Sequence, residues 1–174
     1  MKTINELLSA QAQKYGTKTF LIYRDQEISY SELEELSNQV AHELIARCVK
    51  QGDRVGLLMV NCPEFLYTFF GIMKVGAIAV PVNVLFKPPE IVYVLNNAEV
   101  CGLVLGSMFA PAAELIKSQC KGLGWVKTVV ESRPKQEVKA DSAKYAKTPQ
   151  EVTLSAQDAA SLIYTSGTTG FPKG

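Results

Sequence analysis

Between residues 54 and 130 the sequence alternates short runs that are apolar at nearly every position with stretches of helical period. The runs cover 55–60, 77–82, 102–105 and 125–130. They have the length of strands, and they are too continuous for strands with one wet face. A strand apolar on both sides must be covered on both faces, and the helical stretches between the runs supply that cover. The pattern predicts an α/β fold, a doubly wound and mainly parallel sheet with flanking helices joined by right-handed crossovers.

Punctuation residues place the helices. Pro63 suits a first helical position, where its missing amide costs nothing, and Glu64 suits the positive end of the helix dipole. That helix should end before Gly76. Pro88, Pro89 and Glu90 open another that runs through Asn97, and Ser107 is expected to cap a helix over 109–120. Upstream, Thr3-x-x-Glu6 and Ser31-x-x-Glu34 read as capping boxes ahead of apolar stripes. Between them, 20–23 and 27–30 read as a hairpin about Arg24, Asp25 and Gln26. The expected organisation is N-terminal helices and hairpin over 1–51, then a parallel α/β subdomain over 52–174. Residues 131–151, with Arg133, Lys135, Lys139, Lys144 and Lys147, offer little to bury and read as a long surface loop of solvated lysines. Residues 158–164 read as a fifth strand.

Composition excludes several functions. A chain of 174 residues with 47% hydrophobic and 20% charged residues can bury one sizeable core. Eighteen basic against seventeen acidic residues leave a net charge of +1, with no field to attract nucleic acid or an anionic membrane. The cysteines Cys48, Cys62, Cys101 and Cys120 are scattered, and His42 is the only histidine. These do not make a clustered zinc site, nucleophilic catalysis would need His42 as its base with no G-x-S-x-G elbow beside it, and the cysteines read as small buried hydrophobes in a reducing compartment. The most apolar stretch, 55–86, is interrupted by Glu64 and Lys74 and is no candidate span. The N-terminus lacks the apolar core of a signal peptide, so the expected location is cytoplasmic.

The chemistry-bearing segment is the tail, Tyr164-Thr-Ser-Gly-Thr-Thr-Gly-Phe-Pro-Lys-Gly174. Glycines let a backbone approach an anion closely, hydroxyls donate neutral hydrogen bonds, and the Lys173 ammonium supplies a point charge. Each suits a polyphosphate, and the carboxyl end of a parallel strand is where such sheets hold ligands. The tail is not a Walker A loop, because Phe171 and Pro172 separate Gly170 from Lys173, and Pro172 disfavours helical geometry at Phe171.

These eleven residues resemble the signature phosphate loop of the adenylate-forming superfamily of acyl-CoA synthetases, peptide-synthetase adenylation domains and beetle luciferases. Upstream, Ile28-Ser-Tyr-Ser-Glu-Leu33, Gly52-Asp-Arg-Val55 and Gly76-Ala-Ile-Ala-Val-Pro-Val-Asn83 resemble framework elements of the same family. The stretch from Asn83 to Ile91 is similar to segments common in fatty-acid ligases. The resemblance implies an AMP-forming acid–thiol ligase that converts a carboxylic acid and ATP to an acyl-adenylate and pyrophosphate. A thiol, coenzyme A, then takes the acyl group. It implies ATP and Mg²⁺ as cofactors, with Ser166, Gly167, Thr168, Thr169 and Gly170 cradling phosphates. Lys173 would neutralise charge and Thr165 would offer an oxygen to Mg²⁺. Tyr164 is expected to pack in the strand end. Family members run about three times longer, so the chain is expected to be an inactive N-terminal fragment without catalytic residues of its own, prone to self-association. A peptide-synthetase adenylation domain and a non-catalytic nucleotide-binding remnant remain the alternatives.

Overall fold

The computed structural model describes residues 3–165 and 172–174. The chain enters through α1 (Ile4–Tyr15), capped by Thr3 and Glu6 reciprocally as expected. A hairpin follows, β1 (Thr19–Tyr23) and β2 (Gln26–Ser29), with Arg24 at φ +52° in its turn. α2 (Tyr30–Ala46) starts two residues earlier than expected. Its capping box is Ser29 with Glu32, not Ser31 with Glu34. Tertiary bonding decides this: the Glu34 carboxylate is engaged by Lys74 and by the Ser9 hydroxyl.

The alternating region folds as its pattern predicts. β3 (Arg54–Leu58), α3 (Pro63–Lys74), β4 (Ile78–Pro81), α4 (Pro88–Asn97), β5 (Gly102–Gly106), α5 (Ala113–Gln119) and β6 (Trp125–Val129) follow in order. The strands form an all-parallel sheet in the order β4-β3-β5-β6. Side chains alternate between two cores. Val55, Leu57, Ala79 and Val104 face Ala41, Leu44 and Ile72 of α2 and α3. Leu58, Val80, Leu103 and Leu105 face Val94, Leu95 and Ile116 of α4 and α5. Nearly all are fully buried, and each large aliphatic side chain contributes about 1.5–3 kcal/mol of transfer free energy. Gly76 closes the α3–β4 connection at φ +77° with the Leu154 side chain against it, a position no L side chain fills without strain.

Further expectations change. Ser107 caps no α-helix: 3-10 geometry runs over Ser107–Ala112 before α5, and the Ser107 hydroxyl donates to Glu131 instead. Residues 131–151 are not a free loop. They contain α6 (Lys135–Ser142), whose Lys135 and Lys139 both pair with Glu32 of α2. Amide side chains of α2 hold the following turn through its carbonyls: Asn38 to Lys147 at 2.6 Å and Gln39 to Ser142 at 2.9 Å. His42 contacts the Thr148 carbonyl at 3.0 Å. The expected fifth strand over 158–164 reduces to one parallel bridge between Ala79 and Ser161. The Ala79 amide donates to Ala160 at 3.0 Å, and the Leu162 amide donates back to Ala79 at 2.9 Å. The reading of the cysteines as buried holds for Cys62 and Cys120 and half-way for Cys101, but not for Cys48, which is exposed at φ +63° in the turn after α2.

Candidate functional site

The signature segment begins where 160–162 leaves the edge of β4. Thr165 and Lys173 form an antiparallel bridge, with the Thr165 amide donating to the Lys173 carbonyl at 2.9 Å and the reverse bond at 3.0 Å. The ends of the glycine- and threonine-rich stretch are therefore held together by paired backbone. The Thr165 hydroxyl is exposed and lies 3.4 Å from the Lys173 carbonyl oxygen, a weak engagement. Lys173 is exposed, and among the described residues no carboxylate pairs with its ammonium. Pro172 is buried beside it. Ser166, Gly167, Thr168, Thr169 and Gly170 lie outside the described residues.

Tyr164 packs as expected: it is 8% exposed, within the core that α4 shares with the sheet. Its hydroxyl donates to the Asn97 side-chain oxygen at 2.5 Å, at the last residue of α4. Burial pushes its phenol up, with the Tyr93 hydroxyl adding to the shift. Residues 160–162 run parallel to β4, toward its carboxyl end, while the Tyr164 side chain turns onto the α4 face. Asn97 is a site neighbour that sequence reasoning did not single out. In the sequence it reads as an ordinary helix end, and no periodicity joins it to a residue 67 positions later.

The carboxyl ends of β5 and β6 carry a second polar arrangement. One Glu131 oxygen accepts from the Ser107 amide at 2.9 Å and from its hydroxyl at 2.7 Å. Its other oxygen is buried without a partner among the described residues. Nearby, the fully buried Glu64 accepts the amides of Ser132 and Arg133 at 3.1 and 3.3 Å. Burial pushes the neighbouring Cys62 thiol up to about 12, with Glu64 and Glu131 reinforcing the shift, so this cysteine stays a neutral thiol and no nucleophile. No group of three or more metal-ligating side chains occurs among the described residues, and no described helix is long and apolar enough to cross a membrane.

The chain is similar to the crotonobetaine/carnitine–CoA ligase of Salmonella paratyphi A, at 33% identity over 99% of this chain and 36% of that protein. It spans about a third of the length of such relatives. Among solved structures, it superposes on the anthranilate CoA ligase AuaEII in complex with anthranoyl-AMP with a TM-score of 0.88 and 31% identity. That match covers 98% of this chain and 33% of the other. The inhibitor-bound N-terminal domain of FACL13 from Mycobacterium tuberculosis matches with a TM-score of 0.89 and 28% identity, covering 100% of this chain and 44% of that one. The family described as AMP-binding enzyme matches residues 8–174, and the chain belongs to it.

Proposed function

We propose that the complete protein is an ATP-dependent acyl-CoA synthetase, and that the stretch from Thr165 to Lys173 grips the β- and γ-phosphates of ATP. The observation that carries this reading is the paired Thr165–Lys173 backbone, which ties together both ends of a stretch of glycines and hydroxyls beside a lysine with no carboxylate partner among the described residues. In the reaction, a carboxylate oxygen attacks the α-phosphorus of ATP. The bond to the bridging oxygen breaks, and pyrophosphate leaves with the electron pair. Charge grows on the departing pyrophosphate, so donors aimed at it lower the barrier. The amides of Gly167 and Gly170 and the hydroxyls of Ser166, Thr168 and Thr169 are the proposed donors, and Lys173 supplies the positive charge. Coenzyme A is the proposed thiol acceptor, and a fatty or other medium-sized acid the proposed substrate. The CoA ligase names of the relatives favour this over a peptide-synthetase domain.

Mg²⁺, when bound with the nucleotide, would neutralise phosphate charge. The exposed, weakly bonded Thr165 hydroxyl is a neutral hard oxygen and fits such an ion as one ligand. The remaining ligands would come from phosphates and from residues elsewhere in the complete protein.

The test is Lys173→Ala in the complete protein, read by carboxylate-dependent exchange of pyrophosphate into ATP. Loss of a charge-assisted contact should raise the apparent KM for ATP about 10- to 100-fold, with the KM for the acid little changed. Adenylate formation at the wild-type rate and ATP affinity would end this assignment. The 174-residue chain alone should support no exchange, since its relatives are nearly three times longer. Measurable exchange by the purified chain would refute that expectation.

A further inference from the structure

We infer that Tyr164 and Asn97 form a positioning latch that seats the phosphate loop on the body of the fold. This inference rests on the phosphate-gripping role proposed for 165–173. The Thr165–Lys173 bridge closes the loop but is itself exposed: Thr165, Lys173 and Gly174 face solvent, and of the described residues beyond Tyr164 only Pro172 is buried. Two backbone hydrogen bonds facing water contribute little net free energy.

Beside the buried Pro172, the attachment is the Tyr164 ring. It is buried, and its hydroxyl meets the Asn97 oxygen at 2.5 Å. The other end of the signature rests on the same ring. A Cβ added to Gly174 would stand 2.7 to 3.0 Å from three of its carbon atoms, closer than packed carbons approach. Both ends of the segment therefore converge on one aromatic side chain. The glycine at 174 is what allows the close approach.

The anchor is firm because α4 is firm. Val94 and Leu95 are fully buried in the preceding turn. The carbonyl of Ala98, next after Asn97, accepts from the Arg54 guanidinium at 2.9 Å, tying the helix end to the start of β3. Asn97 itself is exposed and adds nothing to the core, so its amide oxygen has the Tyr164 hydroxyl as its visible task. The raised phenol keeps Tyr164 a donor at neutral pH. The seating of the described ends, Thr165 and 172–174, thus depends on a residue far outside the signature.

The test compares Tyr164→Phe, Asn97→Ala, the double variant and Asn97→Asp, which keeps the acceptor, in the complete protein. Each single change should raise the apparent KM for ATP about five-fold, the effect of one hydrogen bond. The double variant should be no worse than the more affected single, the KM for the carboxylate should not move, and Asn97→Asp should recover most of the loss. Additive effects, or an unchanged KM for ATP in both singles, would overturn the latch as a positioning device.

A second readout needs no activity. In the 174-residue chain, Tyr164→Phe should speed amide hydrogen exchange at Thr165 and Lys173 about five-fold while the α4 amides stay protected. Unchanged exchange at those two amides would overturn the latch itself. If exchange quickens and neither this variant nor Lys173→Ala alters the KM for ATP, the phosphate-gripping reading fails and the latch survives as architecture. If only Lys173→Ala alters it, the latch has no part in holding ATP.

Discussion

At the scale of single residues, two buried charges, Lys74 and Glu64, have partners distant in sequence. Lys74 is 6% exposed and donates to both oxygens of Glu34 at 2.9 Å. Breaking such a pair leaves an uncompensated charge, so Lys74→Met should lower unfolding free energy by about 3 kcal/mol in urea titration. Adding Glu34→Gln should recover part of that loss. A smaller effect is expected at Glu64, whose removal strands the amides of Ser132 and Arg133. Glu64→Ala should cost about 1–3 kcal/mol by the same measurement. Neither role was legible in the sequence. Lys74 read only as an interruption in an apolar run, Glu34 as a capping partner and Glu64 as a helix-dipole residue. A pattern along one element carries no information on which side chain arrives from another.

Among the elements, α6 is the one held most by charge. Burial pushes the Glu32 carboxyl up. Hydrogen bonds from Lys139, the Ser29 amide and Lys135 outweigh that and bring it to about 2 from 4.5. A carboxyl lowered in the folded state stabilises fully above its unfolded value and loses that contribution as pH falls through the folded one. The attachment of α6 should therefore weaken between 4.5 and about 2. Glu43, also on α2, is affected by burial in the raising direction, and Lys127 and Arg47 overcome it, so the same acid window applies in sign. Pepsin cleavage within 135–150 should increase from pH 4.5 to about pH 2.5 in the wild type, and much less in Glu32→Gln. Equal acid sensitivity in both proteins would contradict this. The sequence showed a polar stretch here and left its lysines to solvent. Only the fold brings Glu32 to two of them, and Asn38, Gln39 and His42 of the same helix to backbone carbonyls at 142, 147 and 148.

For the molecule as a whole, the N-terminal region keeps apolar surface open: Leu7 is 51% and Ile22 70% exposed, with Ile4, Phe20 and Ile45 also exposed. We expect the isolated chain to self-associate on this surface. Light scattering should report a mass that rises with concentration, and substituting Leu7 and Ile22 by serine should reduce it; a monodisperse monomer at high concentration would contradict the expectation. The layered parallel sheet was determined by sequence alone. A run apolar on both faces has few places to go except between two layers of helix, and Pro63, Gly76 and Pro88 fix where those helices begin and end. The chemical nature of the tail was also legible, because glycine, hydroxyl and lysine in eleven consecutive positions are local features. What tertiary structure decided is everything that needs two distant segments at once. It chose Ser29 over Ser31 as the α2 cap, gave α6 its partners, reduced the fifth strand to one bridge, and brought Tyr164 to Asn97. Local sequence specifies how each segment can fold; which of those options wins depends on the free energy of contacts that exist only once the chain has closed on itself.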